Sequence, residues 1–218
     1  MEYGKIETLF ERDEKFKVTN RLKHPVIDTI KVWDVTEKID GTNIRIMFDK
    51  EGKLNVGGRT DNAQIPASLL QVLFPMFPIE KMKEVFWLEG KPVDVVLYGE
   101  GYGAGIQKAG SGYRSDKSFR LFDVLIEGKF WLDWTNTEDV ASKLGIKTAP
   151  MLGRWTLEEI IEKVKAGVQS VVAKDDSGNV CMAEGIVGRT IEPLFDKRGR
   201  RLIIKLKTRD FEEGRNKG

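Results

Sequence analysis

One cysteine, Cys181, and one histidine, His24, occur in 218 residues. A lone cysteine excludes an intramolecular disulfide and any zinc site built on paired cysteines. A lone histidine excludes histidine-rich metal centres and leaves Ser-His or Cys-His catalysis no base except His24 itself. Pro25 follows directly and disfavours a helical conformation for the residue before it, so His24 reads as a structural or exposed residue of a loop or strand edge. No apolar run reaches the roughly 20 residues that a membrane span needs. The opening Met1-Glu2-Tyr3-Gly4-Lys5 is not a signal peptide. Internal repeats, low-complexity tracts and Pro/Gly/Ser linkers are lacking too. The thiol usage fits a reducing, cytoplasmic setting, whether that of a cell or of the host of a phage. A large charge of one sign is also missing, since the formal net charge is +2.

What is present suits a globular protein: 40% apolar and 32% charged residues, enough for a core in one large domain or two small ones. Alternating or β-branched runs predict strands over Thr42–Phe48 and over 54–59, 93–98, 119–126, 170–174, 180–187 and 202–206. Helical spacing predicts helices over 67–74, ended by Pro75, over 79–88, and over 138–144, capped by Gly145. A further helix opens on the capping box Thr156-Leu157-Glu158-Glu159, with Leu157, Ile160, Ile161 and Val164 on one face. Strands and helices do not alternate regularly, so the fold class is α+β, antiparallel sheets with peripheral helices. Gly99-Glu100-Gly101-Tyr102-Gly103-Ala104-Gly105 is glycine-rich but lacks the spacing into a helix and the later acidic residue of a dinucleotide fingerprint. Residues 196–218 hold nine Lys/Arg against four Asp/Glu, which reads as a nucleic-acid contact or as a solvated tail.

The most informative run is Glu37-Lys38-Ile39-Asp40-Gly41-Thr42-Asn43. A lysine beside a carboxylate and a glycine turn, at the mouth of a strand, can attack the α-phosphate of a nucleotide and form a lysyl-nucleotide. Taken alone, the same residues also describe an Asp-Gly surface turn between solvated charges. Further carboxylates and cations stand at strand ends: Glu100 after Val96-Leu97-Tyr98-Gly99, Asp123 after Phe119-Arg120-Leu121-Phe122, and Glu184 before Gly185-Ile186-Val187. Lys205 and Lys207 are two apart, hence on one face of a strand. Two lysines buried together without a partner would be costly, so they either meet solvent or face an anion.

Together these segments resemble, in order over roughly residues 33–211, the covalent nucleotidyltransferase superfamily of ligases and capping enzymes. The match is closer to ATP-dependent RNA ligases of the RNA ligase 2 type. Glu37–Asn43 is similar to that family's first motif, with Asn43 where DNA ligases and capping enzymes usually carry Arg. Gly58-Arg59-Thr60 resembles the next motif. Residues 98–103, with Gly105-Ile106-Gln107-Lys108, resemble the Gly-Glu segment of the RNA ligase branch. Glu184-Gly185-Ile186-Val187 and Lys205-Leu206-Lys207 resemble the fourth and fifth motifs.

The resemblance implies a nucleotidyltransferase domain of the ATP-grasp-like ligase adenylation type, expected as a single domain over 1–218; the expected lack of an OB-fold or helical C-terminal domain is a departure from those relatives. It implies that Lys38 takes AMP from ATP and that Glu37 reads the adenine edge. Glu100 would bind the ribose, while Asn43 and Arg59 would hold phosphate or its metal. Phe119 would stack on the base, with Phe122 the alternate; either aromatic could equally be core. Asp40, Glu100 and Glu184 would hold Mg2+ or Mn2+, and Lys205 and Lys207 would face the phosphates. The implied partners are RNA ends, as a nicked duplex or an RNA/DNA hybrid, and no membrane. A minimal DNA ligase and a non-catalytic module that binds nucleic-acid ends are the alternatives. Asn43 and the Gly-Glu segment weigh against the first, and the intact Lys38 weighs against the second.

Overall fold

The structure is a computed structural model that describes residues 1–15 and 17–211. After three short strands near the N-terminus, the chain runs through β1 (Trp33–Lys38), β2 (Thr42–Phe48), β3 (Leu54–Gly58), α1 (Ala67–Met76), α2 (Ile79–Val85), β4 (Val95–Gly103) and β5 (Lys117–Ile126). It continues through α3 (Trp134–Leu144), β6 (Met151–Trp155), α4 (Leu157–Ala166), α5 (Val171–Ser177), β7 (Gly185–Thr190) and β8 (Ile203–Lys207). These elements group into two compact units. Unit one is Met1–Tyr3 with Asp40–Ala149, and unit two is Gly4–Ile39 with the chain from Pro150 onward. Both sheets are mainly antiparallel and helices are peripheral, so the α+β expectation holds.

Unit one is a sheet in the order Phe130–Trp131, β5, β4, β2, β3. In β2, Ile44, Ile46 and Phe48 alternate onto one face and are buried with Leu69 and Leu73 of α1, Met82 of α2 and Val140 of α3. Asn43, Arg45 and Met47 occupy the other face. Arg45 is buried there because its guanidinium is satisfied: Nε donates to the Gly58 carbonyl at 2.5 Å and Nη2 to Asp61 at 2.8 Å.

Unit two is a sheet in the order Glu7–Thr8, β8, β7, β1, β6. Its core gathers Trp33 and Val35 of β1, Ile160 and Val164 of α4, Ile186 of β7, and Ile204 and Leu206 of β8. The Thr156 capping box forms as read, with Glu159 N–H donating to Thr156 Oγ1 and Thr156 N–H to the Glu159 carboxylate. Gly145 closes α3 at φ +71°. Among the described residues no helix is long and apolar enough to cross a membrane.

Two expectations are corrected. Residues 170–174 are not a strand: Ser170 caps a helix, its Oγ accepting from Ala173 N–H at 3.0 Å, despite the β-branched pair Val171-Val172. The helix expected to end before Pro75 runs one residue past it, because a proline in the last turn sacrifices one terminal hydrogen bond rather than an interior one. The glycine-rich segment 99–103, excluded above as a dinucleotide fingerprint, is the end of strand β4.

Candidate active site

In unit two, register assembles the first constellation. Lys38 closes β1, and Gly185, at the start of β7, pairs with Lys38 on one side and Lys207 of β8 on the other. The two lysine backbones therefore flank one glycine, about 10 Å apart at the usual strand spacing. A Cβ at position 185 would lie 2.1 Å from the Leu206 carbonyl oxygen, so only glycine allows the three strands to approach here. Glu184 precedes it and bridges the lysines, Oε2 to Lys38 and Oε1 to Lys207. All three side chains are mostly enclosed, with 21% of Lys38, 16% of Lys207 and 14% of Glu184 left exposed.

Burial alone would push the Glu184 carboxyl above its ordinary range. The charges of Lys38 and Lys207 and their hydrogen bonds outweigh burial, and hold it below. Lys205, two residues back on β8, moves the other way. Burial first, and then repulsion from Lys38 and Lys207, lowers its ammonium below the ordinary lysine range. Three lysines thus share one carboxylate, an arrangement ready to receive more negative charge.

Glu37 is fully enclosed, and its side chain is committed to unit two itself. Oε1 accepts from Ser170 Oγ at 2.6 Å, and Oε2 accepts from the Val171 and Val172 N–H groups at 2.8 and 3.0 Å. The carboxylate fastens the first turn of α5 to the strand that ends in Lys38. Three of the roughly four acceptor sites of this carboxylate thus serve helix N–H groups and a hydroxyl. Burial, and then the Glu37 charge, raises the nearby Cys181 thiol, which keeps it protonated.

Unit one carries the second constellation. Asp40 N–H donates to Tyr113 Oη at 3.1 Å, and the Gly41 carbonyl accepts from Gln107 Nε2 at 3.0 Å, so the turn after Lys38 is held by side chains from the segment following β4. Asn43 on β2 sits directly across from Glu100 on β4, which pairs in turn with Arg120 on β5. Asn43 Oδ1 is buried with no hydrogen-bond partner. Arg59 is exposed just past the end of β3.

Phe119 does not take the expected stacking position. It is 1% exposed, stands edge-on to Phe77 in the core beneath the helices, and presses so closely on β4 that a Cβ at Gly99 would fall 2.1 Å from its ring. Phe122, the alternate, is half-buried and outside that core. Its ring meets Tyr3 edge-on at 5.3 Å, while Tyr3 Oη donates to Asp123 at 2.7 Å. The register of β5 shifts between Leu121 and Asp123, an irregularity that a strict two-residue alternation does not anticipate.

The model of the family described as RNA ligase matches residues 31–207, a span that holds every residue of both constellations except Tyr3. The chain belongs to the RNA ligase family. Structures of Naegleria gruberi RNA ligase have a similar fold. A variant with ATP and Mn matches with TM-score 0.65 and 17% identity over 95% of this chain and 59% of that one. The same ligase with PPi matches with TM-score 0.65 and 19% identity over 95% and 60%. A further variant with AMP and Mn gives TM-score 0.64 and 18% identity over 95% and 60%. The chain spans about 60% of the length of that ligase.

For a member of the RNA ligase family, the test of a metal is whether the donors suit one. Among the described residues no three His, Cys, Asp or Glu side chains cluster into a cage. The expected trio Asp40, Glu100 and Glu184 is therefore not a preformed metal centre. Magnesium, however, needs only one or two carboxylates when substrate phosphates and water complete its shell. Carboxylate donors and the orphaned amide oxygen of Asn43 are hard oxygen ligands of that kind. The supports that sequence reading missed are Ser170, Tyr3 and Tyr113. Each acts on a residue 73 or more positions away, and none carries a local signal.

Proposed function

We propose that this chain is the adenylation module of an ATP-dependent RNA ligase, with both units forming one nucleotidyltransferase domain. The observation that carries the reading is the Lys38–Glu184–Lys207 bridge at the aligned ends of β1, β7 and β8. Lys38 Nζ, once it has lost its proton, attacks the α-phosphorus of ATP. A P–N bond forms, the P–O bond to pyrophosphate breaks, and lysyl-AMP results. AMP then passes to the 5′-phosphate of an RNA end. A 3′-hydroxyl displaces AMP and closes the phosphodiester.

An isolated lysine is neutral in only about one molecule in a thousand near neutral pH. The charges of Lys205 and Lys207 stabilise the phosphate charge that grows in the transition state. Arg59 contacts phosphate, Glu100 binds the ribose, and Phe122 rather than Phe119 stacks on the adenine. Asp40, Glu100, Glu184 and Asn43 would hold Mg2+ or Mn2+, which would add Lewis-acid stabilisation of the phosphates. RNA ends, in a nicked duplex or an RNA/DNA hybrid, are the substrate.

Incubation with α-labelled ATP and magnesium, followed by a denaturing gel, tests the first step. The protein should carry one label that resists acid and yields to hydroxylamine, and Lys38→Ala should carry none. Label on that variant would remove Lys38 from the mechanism. Lys38→Arg should also fail, because a guanidinium stays protonated.

A further inference from the structure

Between β7 and β8 the chain does not turn back tightly. It builds a separate hairpin over residues 194–201, which the nucleotide chemistry above leaves unused. Phe195 pairs with Arg201 across it, Leu202 N–H donates to the Leu194 carbonyl at 2.8 Å, and Asp196 N–H donates to the Arg200 carbonyl at 2.8 Å. Asp196 organises the tip. Its Oδ1 accepts from the Arg198 and Arg200 N–H groups at 2.8 and 2.9 Å, and its Oδ2 accepts from Arg200 Nε at 2.9 Å. Hydrogen bonds from the Arg200 backbone and guanidinium and from the Arg198 backbone hold this carboxyl down to about 2. The base is anchored where Leu194 N–H donates to Thr190 Oγ1, and where Arg200 approaches Glu7 at 3.8 Å.

The hairpin is therefore ordered, and its one acid is consumed internally along with Arg200. What it presents outward is Lys197 and Arg198, both exposed, beside Phe195 at 50% and Leu194 at 46% exposure. An aromatic face next to fixed cations suits a strand of nucleic acid, whose bases stack and whose phosphates pair. The hairpin also lies at the far end of β7 from the nucleophile. Gly185 pairs with Lys38, whereas Thr190, next to the hairpin, pairs with Trp33. Five residue steps of strand separate the two ends, about 17 Å. A bound strand would therefore meet the hairpin several nucleotides from the reacting end.

We propose that the 194–201 hairpin is an RNA-gripping surface that holds the strand several nucleotides from the joined end, through Lys197 and Arg198 on phosphates and Phe195 on a base. This rests on the reading that the chain acts on RNA, and it adds a contact remote from the adenylation chemistry.

The test measures binding of the full chain to a 5′-phosphorylated single-stranded RNA of about 20 nucleotides by fluorescence anisotropy over a salt series. The double variant Lys197→Ala/Arg198→Ala should flatten the slope of log affinity against log salt by roughly 1.4, two phosphates' worth. Phe195→Ala should weaken binding roughly tenfold with the slope unchanged. Both variants keep Asp196, Gly199 and Arg200, and both should accept AMP from ATP at the wild-type rate. RNA carrying 4-thiouridine, photo-crosslinked to the wild-type protein, should label a peptide from 194–201, a readout independent of any variant's folding. Wild-type affinity and slope in both variants, or crosslinks that avoid the hairpin, would overturn the proposal while leaving the ligase reading intact. That reading fails separately if the wild-type chain takes no AMP.

Discussion

Glu184 grips the amine of Lys38 with Oε2 and keeps Oε1 for Lys207. A carboxylate in that position offsets the repulsion between two enclosed ammonium groups. Glu184→Gln keeps the shape and one acceptor but removes the charge. Single-turnover adenylation should fall by about two to three orders of magnitude, the usual loss for one preorganised charge. The melting temperature should fall much less in proportion. A folded Glu184→Gln protein that adenylates at the wild-type rate would displace Glu184 from the site.

The same bridge fixes an acid dependence. Glu184 has a folded-state pKa below its ordinary value of 4.5. A depressed carboxyl contributes stability that is fully present above the unfolded value and is lost as pH falls through the folded one. Urea denaturation of the wild-type chain should therefore show stability falling below pH 4.5. Glu184→Gln should show a shallower fall. Parallel pH profiles for the two proteins would mean that the bridge contributes nothing to folding.

Phe119 is core, and Phe122 on the same strand is the proposed base stack. Phe119→Ala should cost about 3–5 kcal/mol of stability, the range for truncating a buried aromatic. Phe122→Ala should cost far less and should instead raise the KM for ATP roughly tenfold, the order of one lost base stack. Chemical denaturation and adenylation kinetics on both variants decide the matter. A KM effect confined to Phe119→Ala would return the stacking role to that residue.

Local chemistry carried much of this into the sequence. The alternation of Ile44, Ile46 and Phe48 marks a strand, the Thr156 capping box marks a helix start, and the Glu37–Asn43 run marks the turn between β1 and β2 at which Lys38 stands. What alternation could not reveal was the register shift in β5, and with it the choice between Phe119 and Phe122. Nor could propensity place α5. Val171 and Val172 favour strands, but the carboxylate of Glu37, more than 130 residues earlier, accepts their N–H groups and helps set the first helical turn. The anchoring of Glu37 was hidden for the same reason, since its partners come from a distant part of the chain.

That relationship is testable through Ser170, which both caps α5 and donates to Glu37 Oε1. Ser170→Ala removes the cap and one donor to a buried carboxylate, and should destabilise the chain by about 1–3 kcal/mol. Ser170→Thr keeps the hydroxyl and should recover most of that loss in urea titrations. Equal losses for the two variants would assign the effect to packing around Val172 rather than to the hydrogen bonds.

Lys205 is the residue where function and stability should part. It is half-buried, and burial together with Lys38 and Lys207 lowers its pKa below the ordinary 10.5. The folded protein therefore holds this charge against a penalty. The penalty is full below the folded-state pKa, where both states are protonated. It shrinks as pH rises from there towards the unfolded value. Lys205→Met keeps an apolar stem and removes the charge. The variant should be more stable than wild type at about pH 7, and its advantage should narrow towards about pH 10. Its adenylation rate should fall even so, because one of the cations that would meet the triphosphate is gone. Paired denaturation curves at the two pH values, with adenylation measured on the same preparations, test both halves. A variant less stable than wild type at neutral pH would show that Lys205 is satisfied where it stands. An unchanged rate would show that it faces no phosphate.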